Sequence, residues 1–394
     1  MKRRKLRTYL IQILLFILAF ITTTLAGAEL ITGKYWLNFG TGIPADRMLE
    51  LKDFWKGLPY SISFLTFLSF HEFGHYFMAV YHKVRSSLPY YIPIFIPIPG
   101  ILNIGSFGAV IRLKEIPTST RKFFDIGIAG PLAGFVVSIF LLLYGFMNLP
   151  PMEEYVMAIE PFYAEQFGGV PEESVIITAL EAEVDYYGYY VGTSLLFEFL
   201  KAVIPSDPAQ VPNHFDLIHY PYLFVGYITL FFTALNLLPM GQLDGGHIIY
   251  GMFGRKMAGY IARVGLIGLL FFGGTGLMEF RGIQAWDYLA LALYVFFLLY
   301  IFSKVLGREN WQIAVFSTVL ILAMQVLLKW NFPRIEFNFI WLLYAWMVVR
   351  FIGLDHPRAF IEHRVNFSRQ FYGYLAILIF ILCFTPTPLS IIGA

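Results

Sequence analysis

The residues equipped for chemistry lie in the run Phe70-His71-Glu72-Phe73-Gly74-His75, which reads His-Glu-x-x-His. In a helix, His71 and His75 stand four residues apart and lie one above the other on one face. Two imidazoles at that spacing can hold one zinc ion, and Glu72 beside them is placed to take a proton from a water on that ion. A catalytic zinc takes three protein ligands and keeps one position open, so another ligand has to come from elsewhere in the chain. The sole cysteine, Cys383, excludes a Cys-based zinc site and an internal disulfide. Asp244 is the best candidate for the third ligand. It ends the apolar stretch NLLPMGQLDGGH, residues 236–247, and Gly245 and Gly246 after it let the backbone turn sharply. An acid in apolar surroundings is costly unless it is paired or bound to metal. The position also suits a plain helix cap in cytoplasmic water.

These residues need elements to hold them, and composition says what kind. The chain is 58% hydrophobic and only 14% charged, with a mean hydropathy of +0.66. Soluble domains carry about 25% charged residues. Several runs exceed the roughly 18 apolar residues that mark a spanning helix. The expected fold is an all-α polytopic membrane protein of about nine transmembrane helices. The same reading adds a Pro-rich re-entrant loop and a short β-hairpin or strand near the active site. The net charge of +2 gives no reason to expect nucleic acid.

In chain order, five basic residues between Lys2 and Arg7 precede the apolar run Tyr9 to Leu25 and then Ala26-Gly27-Ala28. That is longer than a signal-peptide core, so a retained first helix is expected, with the N-terminus inside. The motif helix follows, running inward to the basic cluster His82, Lys83 and Arg85. Leu88 to Ile101 holds Pro89, Pro93, Pro97 and Pro99, a density that excludes a regular helix. It reads as a re-entrant or interfacial loop. Gly105 to Leu113 reads as a strand. It is either an ordinary hairpin strand or an edge able to pair with an unwound peptide. A third span, about Phe123 to Asn148, carries Gly127, Gly130 and Gly134, read as helix-packing positions. Residues 149–218 are acidic and nearly free of Lys and Arg, which places them outside; the apolar stretch Val191 to Ile204 within them reads as an interfacial helix. A fourth span from near Tyr220 leads into Asp244, and about five more follow. The cluster Asp355-His356-Pro357-Arg358 has side chains able to bind metal, but reads rather as a solvated cytoplasmic turn. The organisation is then 1–54, an N-terminal span and external loop; 55–255, the intramembrane core that carries the zinc motif and contains the acidic loop 149–218; and 256–394, C-terminal transmembrane helices.

Taken together, HEFGH at 71–75, FDIGIAGPLAG at 124–134 and NLLPMGQLDGGH at 236–247 resemble the site-2 protease family of intramembrane zinc metalloproteases. The resemblance covers about residues 55–255. The motif wording and the absence of a PDZ domain look most like the plant and bacterial branch related to the chloroplast EGY proteases. It implies Zn2+ held by His71, His75 and Asp244, Glu72 as general acid/base, and Asn236 as a substrate-binding residue. His247 is assigned a supporting role. It further implies an intramembrane endopeptidase whose partners are the lipid bilayer and a membrane-anchored protein, either a single-pass helix or a signal-peptide remnant. The expected location is a bacterial cytoplasmic membrane. The competing reading is a non-proteolytic zinc-binding transporter or scaffold, which would have no need of Glu72.

Overall fold

Long runs of Leu, Ile, Phe and Ala satisfy their backbone groups by winding into helices, and helices make up most of the computed structural model. It describes residues 2–36, 48–96, 102–151, 172, 175–176, 188–277, 285–332, 338 and 340–392. Helix α1 spans Lys2–Thr32, and the single turn α2 spans Leu51–Phe54. The motif helix α3 covers Leu58–Tyr81. Strands β1, Tyr90–Pro93, and β2, Ser106–Val110, precede helix α4, Thr120–Met147. Strand β3 is Gly188–Val191, and α5 is the short helix Leu195–Val203. Helices α6, Pro221–Leu237, and α7, Asp244–Phe253, flank a six-residue break. Beyond them lie α8, Arg255–Gly273, α9, Ala285–Leu306, and α10, Trp311–Asn331. The chain closes with α11, Ile340–Met347, α12, Phe367–Cys383, and β4, Leu389–Ile392.

Among the described residues, five helices are long and apolar enough to cross a membrane: the Leu6–Thr32 part of α1, α4, α8, the Tyr288–Leu306 part of α9, and α10 with its preceding turn. Three shorter apolar helices, Pro221–Leu237, Ile340–Ile352 and Phe367–Cys383, accompany them. The motif helix is not among the five. Its 24 residues reach about 36 Å at 1.5 Å each, but His71, Glu72 and His75 lower its mean hydropathy. The chain is therefore a helical integral membrane protein, with five clear spans by length and composition.

The Pro-rich run is not all loop. Tyr90–Pro93 is the first strand of an antiparallel hairpin with β2, pairing Tyr90 with Val110, Tyr91 with Ala109 and Pro93 with Ser106. The register shifts between Tyr91 and Pro93, where proline has no N–H to give to the ladder. Pro97 and Pro99 lie outside the described residues, as do most acidic residues of the 149–218 loop. Helix α1 carries the hairpin: Gln12 donates to the Leu88 carbonyl at 2.8 Å, Thr22 to the Gly105 carbonyl at 2.6 Å, and Phe16 meets Tyr91 edge to face. The Ala26-Gly27-Ala28 segment continues the helix, with both alanines fully buried.

The main core joins α1, α3, α4, α6, α7 and α12 around Tyr60, Phe64, Phe124, Leu142 and Phe224. A second cluster joins α8 to α11 around Leu270, Leu298 and Trp341. A second two-stranded sheet, β3 with β4, ties residues 188–191 to residues 389–392.

Candidate active site

Helix α3 turns one face to the interior, burying Phe64, Phe67, Leu68, His71, Glu72 and His75, while Phe70, Phe77 and Tyr81 point outward. The 3.6-residue period therefore sets both imidazoles on the buried stripe. Helix α4 packs along that stripe at its small residues. A Cβ at Gly130 would overlap the His75 ring, and one at Gly134 would come within 3.3 Å of His71 Nδ1. These glycines, expected to serve helix packing, make room for the imidazoles themselves. His75 Nδ1 faces the Ile126 carbonyl at 2.7 Å, so it carries the proton and leaves the Nε2 lone pair free. His71 Nδ1 is buried without a hydrogen-bond partner among the described residues.

Asp244 arrives from the other side as the first residue of α7, where a helix N-terminus favours a negative charge. Gly245 and Gly246 lie so close to the carbonyls of Leu237, Leu238, Met240 and Gly241 that a side chain at either would overlap them. This close approach, together with the positive φ of Gly241 (51°), folds the break tightly enough to aim Asp244 at α3. Its Oδ2 lies 3.5 Å from His71 Nε2 and 3.3 Å from His75 Nε2, and the two ring nitrogens are 3.1 Å apart. Corners of a tetrahedron built on zinc–ligand bonds of about 2.0–2.1 Å lie roughly 3.3 Å apart. The donor set of two buried imidazoles and a partly buried carboxylate, convergent on one point, fits a zinc ion. Among the described residues these three form the one His/Cys/Asp/Glu cluster able to hold a metal.

Glu72 is buried beside them, and its Oε2 accepts a hydrogen bond from the Ile111 backbone N–H at 2.8 Å. Asn236 sits half-buried in the last turn of α6, and its side chain makes no hydrogen bond among the described residues. His247, one turn after Asp244, pairs through Nδ1 with His356 Nε2 at 2.6 Å. His356 is 5% exposed, between Phe123 and Tyr250. It is not in a solvated turn; the segment 354–366 folds against α7, with Tyr250 OH donating to Glu362 and accepting from the Ala359 N–H. Neither the Ile111 contact nor the His356 contact was legible in the motifs, because each partner lies far away in sequence.

Residues 59–272 match Peptidase family M50. The chain is 30% identical to the probable zinc metalloprotease EGY1, chloroplastic, of Oryza sativa subsp. japonica over 239 residues, 59% of this chain and 35% of that protein. It is 30% identical to the EGY1 protein of Arabidopsis thaliana over 226 residues, 57% of this chain and 34% of that protein. A probable zinc metalloprotease EGY2, chloroplastic, of Arabidopsis thaliana matches at 27% over 226 residues, again 57% and 34%. The chain thus spans about a third of the length of these relatives. No solved structure matches it. The family match begins one residue into the helix of His71 and His75, passes through the glycine-lined α4, and takes in Asp244; with more than half its length so covered, this chain belongs to Peptidase family M50.

Proposed function

We propose that the protein is an intramembrane zinc endopeptidase acting on membrane-anchored proteins within or near their transmembrane helices. The observation that carries this reading is the convergence of His71 Nε2, His75 Nε2 and Asp244 Oδ2 with Glu72 alongside. These three side chains would hold Zn2+. The ion would supply a water of lowered pKa and a Lewis acid for the peptide carbonyl. Glu72 takes the proton from the attacking water and returns it to the leaving amine. Asn236 orients the substrate, its side-chain amide donating to the carbonyl under attack.

A helical substrate keeps its amides in its own hydrogen bonds, so it has to unwind before a carbonyl can be reached. The outer edge of β2, where Phe107 and Val110 are exposed, offers backbone groups to an opened strand. The lining of the site by a single-pass helix or a signal-peptide remnant is the occupancy this arrangement suits. The five long apolar helices and three shorter ones among the described residues, with the motif helix, support nine spans, and the Pro-rich run that carries β1 suits a re-entrant loop. Lys2 to Arg7 and the basic loops support a cytoplasmic N-terminus; the membrane assigned in this reading is a bacterial cytoplasmic one.

The test is incubation of the purified full-length protein with candidate single-pass substrates, with and without a chelator, and mapping of the cut by mass spectrometry. Cleavage is expected to stop with chelator and resume with added zinc. Glu72→Gln is expected to keep zinc and lose at least about 100-fold in rate. Normal function in that variant would sink the peptidase reading.

A further inference from the structure

The carboxylate of Glu72 accepts one hydrogen bond among the described residues, and it comes from the main chain. Ile111 follows β2 directly, and its N–H points at Glu72 Oε2 across 2.8 Å. Its neighbours face the other way: the Arg112 carbonyl accepts from the Ser87 N–H at 3.0 Å, the Arg112 N–H donates to Ser87 Oγ at 2.9 Å, and the Lys114 N–H donates to the Arg85 carbonyl at 2.8 Å. Successive residues of a strand present their backbone groups to opposite edges. The Ile111 N–H is therefore the group that the hairpin turns toward α3 at the level of the motif.

The hairpin is fixed relative to that helix at several points. Tyr91 OH pairs with Ser69 Oγ at 2.7 Å, two residues before His71, and Tyr60 OH donates to the Ile104 carbonyl at 3.0 Å. From the far side α1 holds it through Gln12 and Thr22. A donor on so braced a frame restricts a side chain that otherwise has three free torsions. Hydrogen bonds to an ionised acceptor are short and about twice as strong as neutral ones. One carboxylate oxygen is held, and the other is left to work on water.

We infer that the backbone amide of Ile111 is the positioning group for Glu72, fixing its carboxylate in the orientation from which it moves protons. This rests on the peptidase reading, and it gives the hairpin a role separate from any contact with substrate. The side chain at 111 is immaterial to it; the N–H is what counts.

Two measurements on the full-length protein in bilayer discs test it. The first does not depend on cleavage. Hydrogen exchange at the Ile111 amide should be slow in the wild type and at least about tenfold faster in Glu72→Ala; equal protection in both would overturn the inference. The second replaces the 110–111 amide by an ester, which removes the N–H while keeping the isoleucine side chain. The kcat is expected to fall about ten- to a hundredfold, with KM and zinc content unchanged. Ile111→Val, which retains the N–H, should keep that amide as slow to exchange as in the wild type; fast exchange there would also overturn the inference. An ester form with wild-type kcat, or one that loses zinc or raises KM instead, would overturn the positioning role. If the wild type cleaves nothing, the peptidase reading falls, while the exchange result still decides whether Ile111 holds Glu72.

Discussion

At Gly130 the ring of His75 occupies the space a methyl group would need. Gly130→Ala should therefore push the imidazole off its line to Asp244 and cost about 1–3 kcal/mol from overpacking. Zinc content measured by plasma mass spectrometry should drop while the helical circular dichroism stays. Retained zinc would show that the ring has room to shift. The ligand candidates themselves were legible because residue type and spacing encode them: a helix brings positions 71 and 75 together wherever it sits. The role of Gly130 was not. A stripe of small residues reads the same whether the neighbour that fills the groove is a backbone or an imidazole. Asn236 entered only through resemblance, and the geometry gives it a half-buried place on α6 with no side-chain hydrogen bond among the described residues.

At the level of elements, α1 and α3 cross where a Cβ at Gly57 would strike the Thr24 carbonyl and one at Gly27 would meet Tyr60. Thr23 and Ser61 hydroxyls bond across the same crossing at 2.7 Å. Gly57→Val should splay the two helices and loosen the hairpin that α1 carries, lowering the thermal midpoint and speeding protease nicking within 88–106. An unchanged nicking rate would show that α3 alone fixes the hairpin. The hairpin was half visible beforehand. The alternation in 105–113 reads as a strand, but four prolines hide its partner, since proline is normally excluded from a ladder. Here it is tolerated at the register shift. The motif helix poses the opposite difficulty: its chemistry is plain, while its spanning character is diluted by the very residues that perform the chemistry.

Across the whole molecule, contacts run from the family-matched core into the last third of the chain. Arg369 at the start of α12 grips Asp125 of α4 through two bonds, of 2.7 and 2.9 Å, and His82 at the end of α3 meets the same carboxylate at 2.8 Å. The Gly241 N–H donates to the Leu354 carbonyl, and the Val365 N–H to that of Gly251, so segment 354–366 braces the helix of Asp244 at both ends. Burial holds the His356 ring down to about 4, although the Pro357 carbonyl and Glu362 favour its charged form. A histidine near 6.5 when unfolded and near 4 when folded contributes stability that is complete above about pH 6.5 and is lost as the pH falls toward 4. Acidification from pH 7.5 to 4.5 should therefore lower stability by up to about 3 kcal/mol and open segment 354–366 to hydrogen exchange. His356→Asn should flatten that part of the pH profile. None of this bracing was legible, because the loops after residue 255 hold no pattern that points back at Asp244.

The pairing of β3 with β4 sets residues 188–191 beside residues 389–392. Two strands that share a ladder must lie on one side of the bilayer, so the polypeptide between them can only make an even number of crossings. Among the described residues six apolar helices, α6 and α8 through α12, lie between the two strands. Any scheme that drops or adds a single crossing there would tear the sheet, which makes a ladder of four residue pairs a counter of parity for half the protein.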